Sequence, residues 1–199
     1  MFPKSVYADR TKWKFIKNGI ATKMFRYDPE KRNQIRKEHG LNDDILIGHV
    51  GRLHPQKNHK FILSVFEEFH ASHPSSRLLL FGEGFLEDEL NMQVHQRQLE
   101  DSIFFMGVQE NISVWLSALD IFFFPSLYEG LPVALLEAQA SGLPCLVSDV
   151  VPTEAICVHL VKRESLKKNP IIWCRDLEEL LENRSFNSRG EAWKKVADA

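Results

Sequence analysis

Two carboxylates stand out in the segment Pro125-Ser126-Leu127-Tyr128-Glu129-Gly130-Leu131-Pro132, which continues as Val133-Ala134-Leu135-Leu136-Glu137-Ala138. Glu129 precedes a Gly-Leu-Pro turn, and Glu137 follows more than a helical turn later among Leu135, Leu136 and Ala138. Carboxylates are seldom left beside apolar neighbours unless they are paired or used. As pure acceptors they suit the hydroxyls of a sugar. Gly130 lets a ligand approach the backbone, and the N–H groups of Gly130 and Leu131 are placed to face an anion. A plainer role is open for each: Glu137 as a helix-surface residue, and Glu129 as a first-turn acid favoured by the helix dipole.

The segment Gly51-Arg52-Leu53-His54-Pro55-Gln56-Lys57-Asn58 sets two cations around the start of a predicted helix. Exposed N–H groups and the dipole add to the side-chain charge there, which makes a site for a compact polyanion such as a diphosphate. Solvated loop charges are the alternative for Arg52 and Lys57. Gly82-Glu83-Gly84 follows an apolar run; two glycines there serve a tight turn or close packing, and the third glycine of the dinucleotide fingerprint is missing.

These loops need a scaffold, and the hydrophobic pattern supplies one. From residue 45 onward, short apolar runs alternate with longer amphipathic ones, the pattern of an α/β fold: an open, doubly wound, Rossmann-like parallel sheet with crossover helices. Strands are expected at Ile45 to Val50, Arg77 to Phe81, Ser102 to Phe105, Ile121 to Phe124 and Cys145 to Ser148, with a further one at Ile171 to Trp173. Helices are expected over the stripe Phe61, Ile62, Val65, Phe66 and Phe69, over Leu86, Leu90 and Val94, over Ile112 to Leu119, and from just before Pro132 to a stop at Gly142. A basic stretch (Lys162, Arg163, Lys167, Lys168) and two polar helices complete the chain. Residues 1–24, with Trp13, Phe15, Ile16 and the turn pair Asn18-Gly19, do not fit the repeat and read as an entry arm to a domain over 25–199. In such sheets ligands bind beyond the carboxyl ends of the strands, where all three loops lie.

Composition narrows the function classes. The 199 residues are 44% hydrophobic and 26% charged, as in ordinary globular domains, and the net charge of -2 excludes the basic footprint of a nucleic-acid binder. Three cysteines (Cys145, Cys157, Cys174) form no CxxC pair and no metal-ligand spacing, so reduced, buried thiols of a cytoplasmic chain are expected. No carboxylate pair has the spacing of a magnesium site, and no stretch has the length and apolarity of a signal peptide or a membrane span.

In this order, Asn18-Gly19-Ile20, Val50-Gly51-Arg52-Leu53 with Lys57-Asn58, Gly82-Glu83-Gly84, Phe105-Met106-Gly107, and Pro125-Ser126 with Glu129-Gly130-Leu131-Pro132 and Glu137 resemble a known domain. It is the C-terminal, donor-binding half of the retaining, nucleotide-sugar-dependent glycosyltransferases of two-domain GT-B architecture, the group called family four or glycosyl transferases group 1. The resemblance spans roughly residues 16–150 and is most specific in the two glutamates. It implies that Arg52 and Lys57, with the Gly130 and Leu131 backbone, hold the donor diphosphate. It also implies that Glu137 accepts ribose hydroxyls, that Gly82, Gly107 and Val108 lie at the nucleotide, and that Glu129, the implied catalytic residue, lies near the transferred sugar. It implies no cofactor or metal, a partner Rossmann domain carrying the acceptor, and membrane contact, if any, through that other half. Val151-Pro152-Thr153-Glu154-Ala155 departs from the usual glycine-rich turn, and the subgroup is similar to enzymes that assemble exopolysaccharide or capsule. Two other readings stay open: half of a nucleotide-sugar epimerase of the same architecture, and a non-catalytic nucleotide-binding module.

Overall fold

The computed structural model describes residues 19–184 and 189–199. Six strands, β1 (Ile45–Val50), β2 (Ser76–Phe81), β3 (Ile103–Gly107), β4 (Ile121–Phe124), β5 (Cys145–Ser148) and β6 (Val161–Glu164), form one parallel sheet in the order β3-β2-β1-β4-β5-β6. The described helices are α1 (Pro29–Glu38), α2 (His59–Ser72), α3 (Glu87–Gln96), α4 (Ile112–Ala118), α5 (Val133–Ala140), α6 (Pro170–Glu182) and α7 (Ala192–Ala197).

The central strands read as continuous apolar runs because both faces are covered. Ile47, Leu78, Leu80, Ile121 and Phe123 face α2, α3 and α6. Their neighbours Leu46, Leu79, Phe81, Phe122 and Phe124 face the layer that holds Trp115 and Leu116 of α4 and Leu135 and Ala138 of α5. The sheet runs outward in one direction from β1 through β2 and in the other from β1 through β4, so the chain reverses order between β1 and β4. That switch point opens a crevice at the carboxyl ends of the two strands, between the loops that carry the candidate residues.

Three sequence expectations are corrected. Ile171 to Trp173 is the first turn of α6, not a strand: Asn169 accepts from the Ile171 N–H and Pro170 opens the helix, while Trp173, Cys174 and Leu177 are buried one helical turn apart. The basic stretch contains β6, an edge strand whose Lys162 and Arg163 are held by Asp176, Glu179 and the carbonyls of Asp149 and Val151. Pro132 is the residue capping α5, not a position inside it.

The helix α1 had no counterpart in the sequence reading. It starts at Asp28, whose carboxylate accepts from the Glu30 and Lys31 N–H groups, and it is fastened by arginines rather than by an apolar stripe. Arg32 and Arg36 donate to opposite oxygens of buried Asp120 at 2.6 and 2.5 Å and to the carbonyls at the end of α4. Buried Arg189 adds bonds to the Leu116, Leu119 and Ser141 carbonyls. Of the entry arm, residues 1–18 lie outside the described ones; Ile20 and Phe25 pack against Ala140, Val158 and Val196.

Candidate functional site

At the switch point the loop after β1 and the loop after β4 are bound to each other. The Leu127 N–H donates to the Gln56 carbonyl (2.8 Å), Gln56 Nε2 to the Tyr128 carbonyl (2.9 Å), and Asn58 Nδ2 to the Pro125 carbonyl (3.1 Å). The loop after β2 supports the first of them from the side. Gly82 sits at φ +128, and a Cβ there would lie 2.2 Å from the Gly51 carbonyl oxygen, so only glycine allows the two backbones to touch.

Between the loops lies an open cavity of about 370 Å³, lined among others by Gly51, Arg52, Gln56, Lys57, Phe124, Glu129, Leu131, Val133 and Ala134. That is within the usual range for a small-molecule site. Its charged groups are unequal. Lys57 Nζ lies 2.6 Å from Glu129 Oε1, both side chains are mostly buried, and the ammonium stands 4.6 Å from the centroid of the Phe124 ring. Arg52 is exposed and has no side-chain hydrogen bond or ion pair among the described residues. The cavity thus presents one arginine with unused donors beside a lysine already neutralised by a carboxylate.

The first turn of α5 forms part of the wall through Val133 and Ala134. No side chain caps this helix, and within the described residues the N–H groups of Gly130, Leu131, Val133 and Ala134 make no hydrogen bond. Initial helical N–H groups need an acceptor from outside the helix, and the dipole favours an anionic one.

Of the sequence-predicted residues, Arg52, Lys57, Glu129 and Leu131 line the cavity together. Glu137 lies one turn along α5 from Val133 and Ala134, hence on their face of the helix and outside the cavity wall proper. It is half-buried with no partner among the described residues, and burial pushes its carboxyl above the usual carboxylate range. Gly130 is an exposed loop residue that does not line the cavity with its neighbours. Gly82 and Gly107 lie at the ends of β2 and β3, joined by a bond from the Gly82 N–H to the Gly107 carbonyl, with Val108 exposed beyond them. None of these three lines the cavity.

Sequence reasoning missed the Lys57–Glu129 pairing, the role of Gln56 in lashing the loops, and a buried polar group under the floor. The last had a signal: His49 is a lone polar side chain in the apolar run Ile45–Val50.

The family described as "Glycosyl transferases group 1" matches residues 31–197. EpsF of Bacillus subtilis, which carries a glycosyltransferase name, is 34% identical over 171 residues, covering 85% of this chain and 44% of that protein. The UDP-Gal:alpha-D-GlcNAc-diphosphoundecaprenol alpha-1,3-galactosyltransferase of Escherichia coli is 33% identical over 151 residues, 74% of this chain and 39% of that enzyme. The chain therefore spans less than half the length of these curated relatives. Among solved structures, the C-terminal domain of the glycosyl transferase group 1 family protein LpcC of Francisella tularensis shares the fold at TM-score 0.73 and 23% identity, over 90% of this chain and 95% of that one. Alr3699/HepE of Anabaena, solved in complex with UDP and glucose, does so at TM-score 0.77 and 18% identity, over 93% of this chain and 51% of that one. No described helix is long and apolar enough to cross a membrane. This chain belongs to the glycosyl transferases group 1 family, with the parallel α/β fold of the GT-B glycosyltransferases.

Proposed function

We propose that this chain is the donor-binding half of a retaining, nucleotide-sugar-dependent glycosyltransferase. The observation that carries the reading is the switch-point cavity, where Arg52, with its unused donors, and Lys57 stand beside the uncapped first turn of α5. That arrangement fits a diphosphate held by two cations and by the Gly130 and Leu131 backbone. Glu137, adjacent on α5 and without a partner among the described residues, accepts the ribose hydroxyls, and the Gly82, Gly107 and Val108 edge receives the nucleoside. Support for a nucleotide ligand comes from Alr3699/HepE, solved with UDP and glucose.

In transfer, negative charge grows on the departing diphosphate. Groups that bind it more tightly as it develops lower the barrier, and Arg52, Lys57 and the helix N–H groups are fixed in place to do so. Glu129 has two tasks: it holds Lys57 through their 2.6 Å pair and presents its other oxygen toward the sugar as an orienting acceptor. Two cations and a helix terminus take the place of a metal in this scheme. The acceptor, a glycan or lipid-linked saccharide, is supplied through an N-terminal Rossmann domain beyond this chain, at the cytoplasmic face of the membrane. Alone, residues 25–199 bind donor without completing transfer.

Arg52→Ala and Glu137→Ala are each expected to weaken UDP binding by about 1–3 kcal/mol, the usual loss for a charged or bidentate contact, with folding intact. Calorimetric titration measures this, and unchanged affinity in a folded variant removes that residue from the site. Joined to its N-terminal half, the chain is expected to transfer sugar to an acceptor with retention of anomeric configuration; interconversion of free nucleotide sugars instead would make it half of an epimerase.

A further inference from the structure

Three successive side chains of the loop after β1 reach the same stretch of the loop after β4. Gln56 Nε2 lies 2.9 Å from the Tyr128 carbonyl oxygen, Lys57 Nζ 2.6 Å from Glu129 Oε1, and Asn58 Nδ2 3.1 Å from the Pro125 carbonyl oxygen. The outer two contacts join neutral groups and the middle one joins charges. A nucleotide sugar competes for the middle one alone: its diphosphate draws on Lys57 and a sugar hydroxyl on Glu129, whereas both amides are spent on backbone carbonyls.

Of the two amides, Gln56 is the one placed to act on Glu129, because the carbonyl it holds belongs to the peptide that leads into that residue. Gln56 is itself tied down on three sides. Its N–H donates to His54 Nδ1 (3.2 Å), its carbonyl accepts from the Leu127 N–H (2.8 Å), and its Nε2 donates to Tyr128. A carbonyl oxygen only accepts, so the contact with Tyr128 fixes which end of the amide faces it. Beyond Tyr128 the attachment is sparse: among the described residues, Glu129, Gly130 and Leu131 make no hydrogen bond to the loop after β1 other than the Lys57–Glu129 pair.

We propose that Gln56 is a positioning residue for Glu129: its side-chain amide holds the Tyr128–Glu129 peptide against the loop after β1 while a bound donor draws on the Lys57–Glu129 pair. The second half of that statement rests on the donor-site reading; the hold itself is a property of the chain with no ligand bound. Without the amide, the chain past Leu127 is tied to the loop after β1 by the ion pair alone, and a donor that uses the pair loosens the carboxylate it needs.

Gln56→Met tests this, since it keeps the length of the side chain and removes the donor at a half-buried position outside the core. Amide hydrogen exchange of the free chain reads the hold directly. The Leu127 N–H, bonded to the Gln56 carbonyl, is expected to lose about tenfold of its protection while the denaturation midpoint stays that of the parent. Calorimetry with UDP and UDP-glucose reads the consequence: UDP-glucose affinity is expected to fall about fivefold and UDP affinity by less than about twofold, because only the sugar meets Glu129. In a Glu129→Ala background the same substitution is expected to cost UDP-glucose affinity no more than about twofold, since the residue it acts through is gone. Parent-like exchange of Leu127 in Gln56→Met overturns the proposal. Equal losses for the two ligands overturn it as well, as does a loss that adds in full to that of Glu129→Ala, because these describe packing or a direct contact rather than positioning. A parent chain that binds neither ligand contradicts the donor-site reading, while the Leu127 exchange still decides whether Gln56 holds the turn.

Discussion

Asp120→Ala is expected to destabilise the protein by about 3–5 kcal/mol, the cost of removing one partner from a buried charge network. Asp120 is 3% exposed and holds Arg32 with one oxygen and Arg36 with the other, while the Leu46 N–H donates to the second oxygen. Its loss leaves Arg36, also buried, with carbonyl acceptors alone and leaves the buried Leu46 N–H of β1 without its acceptor. Burial already lowers the proton affinity of Arg36, and Asp120 is the largest influence opposing that effect. Because α1 reaches the domain largely through these guanidinium groups, the variant should also lose protection of the α1 amides in hydrogen exchange. Asp120→Asn keeps a hydrogen-bond acceptor and should fall between the two. Chemical denaturation of the three proteins measures the effect; a loss below about 1 kcal/mol, the scale of an exposed ion pair, would mean that the network is not the fastening of α1.

Stability should fall in acid, and His59 should account for much of the fall. His59 is 2% exposed, and burial, reinforced by Lys57 and only weakly opposed by the His54 backbone, pushes its pKa down to about 4. In the unfolded chain it titrates near the ordinary value of about 6.5. The folded state therefore binds its proton less well than the unfolded state. Its neutral form fits the fold at full stability above about pH 6.5, and stability is lost as pH falls from there toward about 4, by about 3 kcal/mol in all. His49 is shifted in the same direction, chiefly by burial, and adds to the loss. Glu137 works the other way: its carboxyl is raised by burial, so protonating it in acid favours the fold. Comparing His59→Phe with the parent cancels the Glu137 contribution, and because His59 also helps to hold His49 down, the part of the His49 shift that His59 causes is removed with it, in the same direction. The variant should show a shallower loss of stability between pH 6.5 and 4, measured as the denaturation midpoint against pH; parallel curves would mean that His59 reaches solvent or a partner when charged.

Much of the scaffold was legible because burial on both faces leaves a plain mark. Ile121-Phe122-Phe123-Phe124 and Cys145-Leu146-Val147-Ser148 can only be central strands in a chain with this alternation, and both lie where expected. What escaped was held by polar chemistry. In Pro29–Glu38, the sequence PEKRNQIRKE offers Ile35 as its one large aliphatic residue, and Arg32 and Arg36, which leave no mark in an apolar pattern, are its anchors. Likewise β6, Val-Lys-Arg-Glu, is an edge strand that satisfies its charges on α6 and on the β5 loop, so no apolar run announces it. Ile171-Ile172-Trp173 misled because three β-prone residues outweighed the Asn169-Pro170 start signal just before them.

The candidate site divides along the same line. Loop identity was readable from residue type, since Arg52, Lys57, Glu129 and Leu131 do meet at one cavity. Pairing was not: Lys57 and Glu129 are 72 positions apart, and only the switch between β1 and β4 brings them to 2.6 Å. The pairing alters the electrostatics of the site, because it leaves Arg52 as the cavity's cation without a partner among the described residues.

The central claim, a nucleotide-diphosphate site at the switch point of this chain, is tested most directly by calorimetric titration of the chain with UDP, GDP and ADP in the presence of EDTA. Saturable binding of one of these nucleotides, lost in Arg52→Ala and in Glu137→Ala, is the predicted result and would name the base. Heat changes no larger than dilution with all three nucleotides, from a chain shown to be folded, would contradict it.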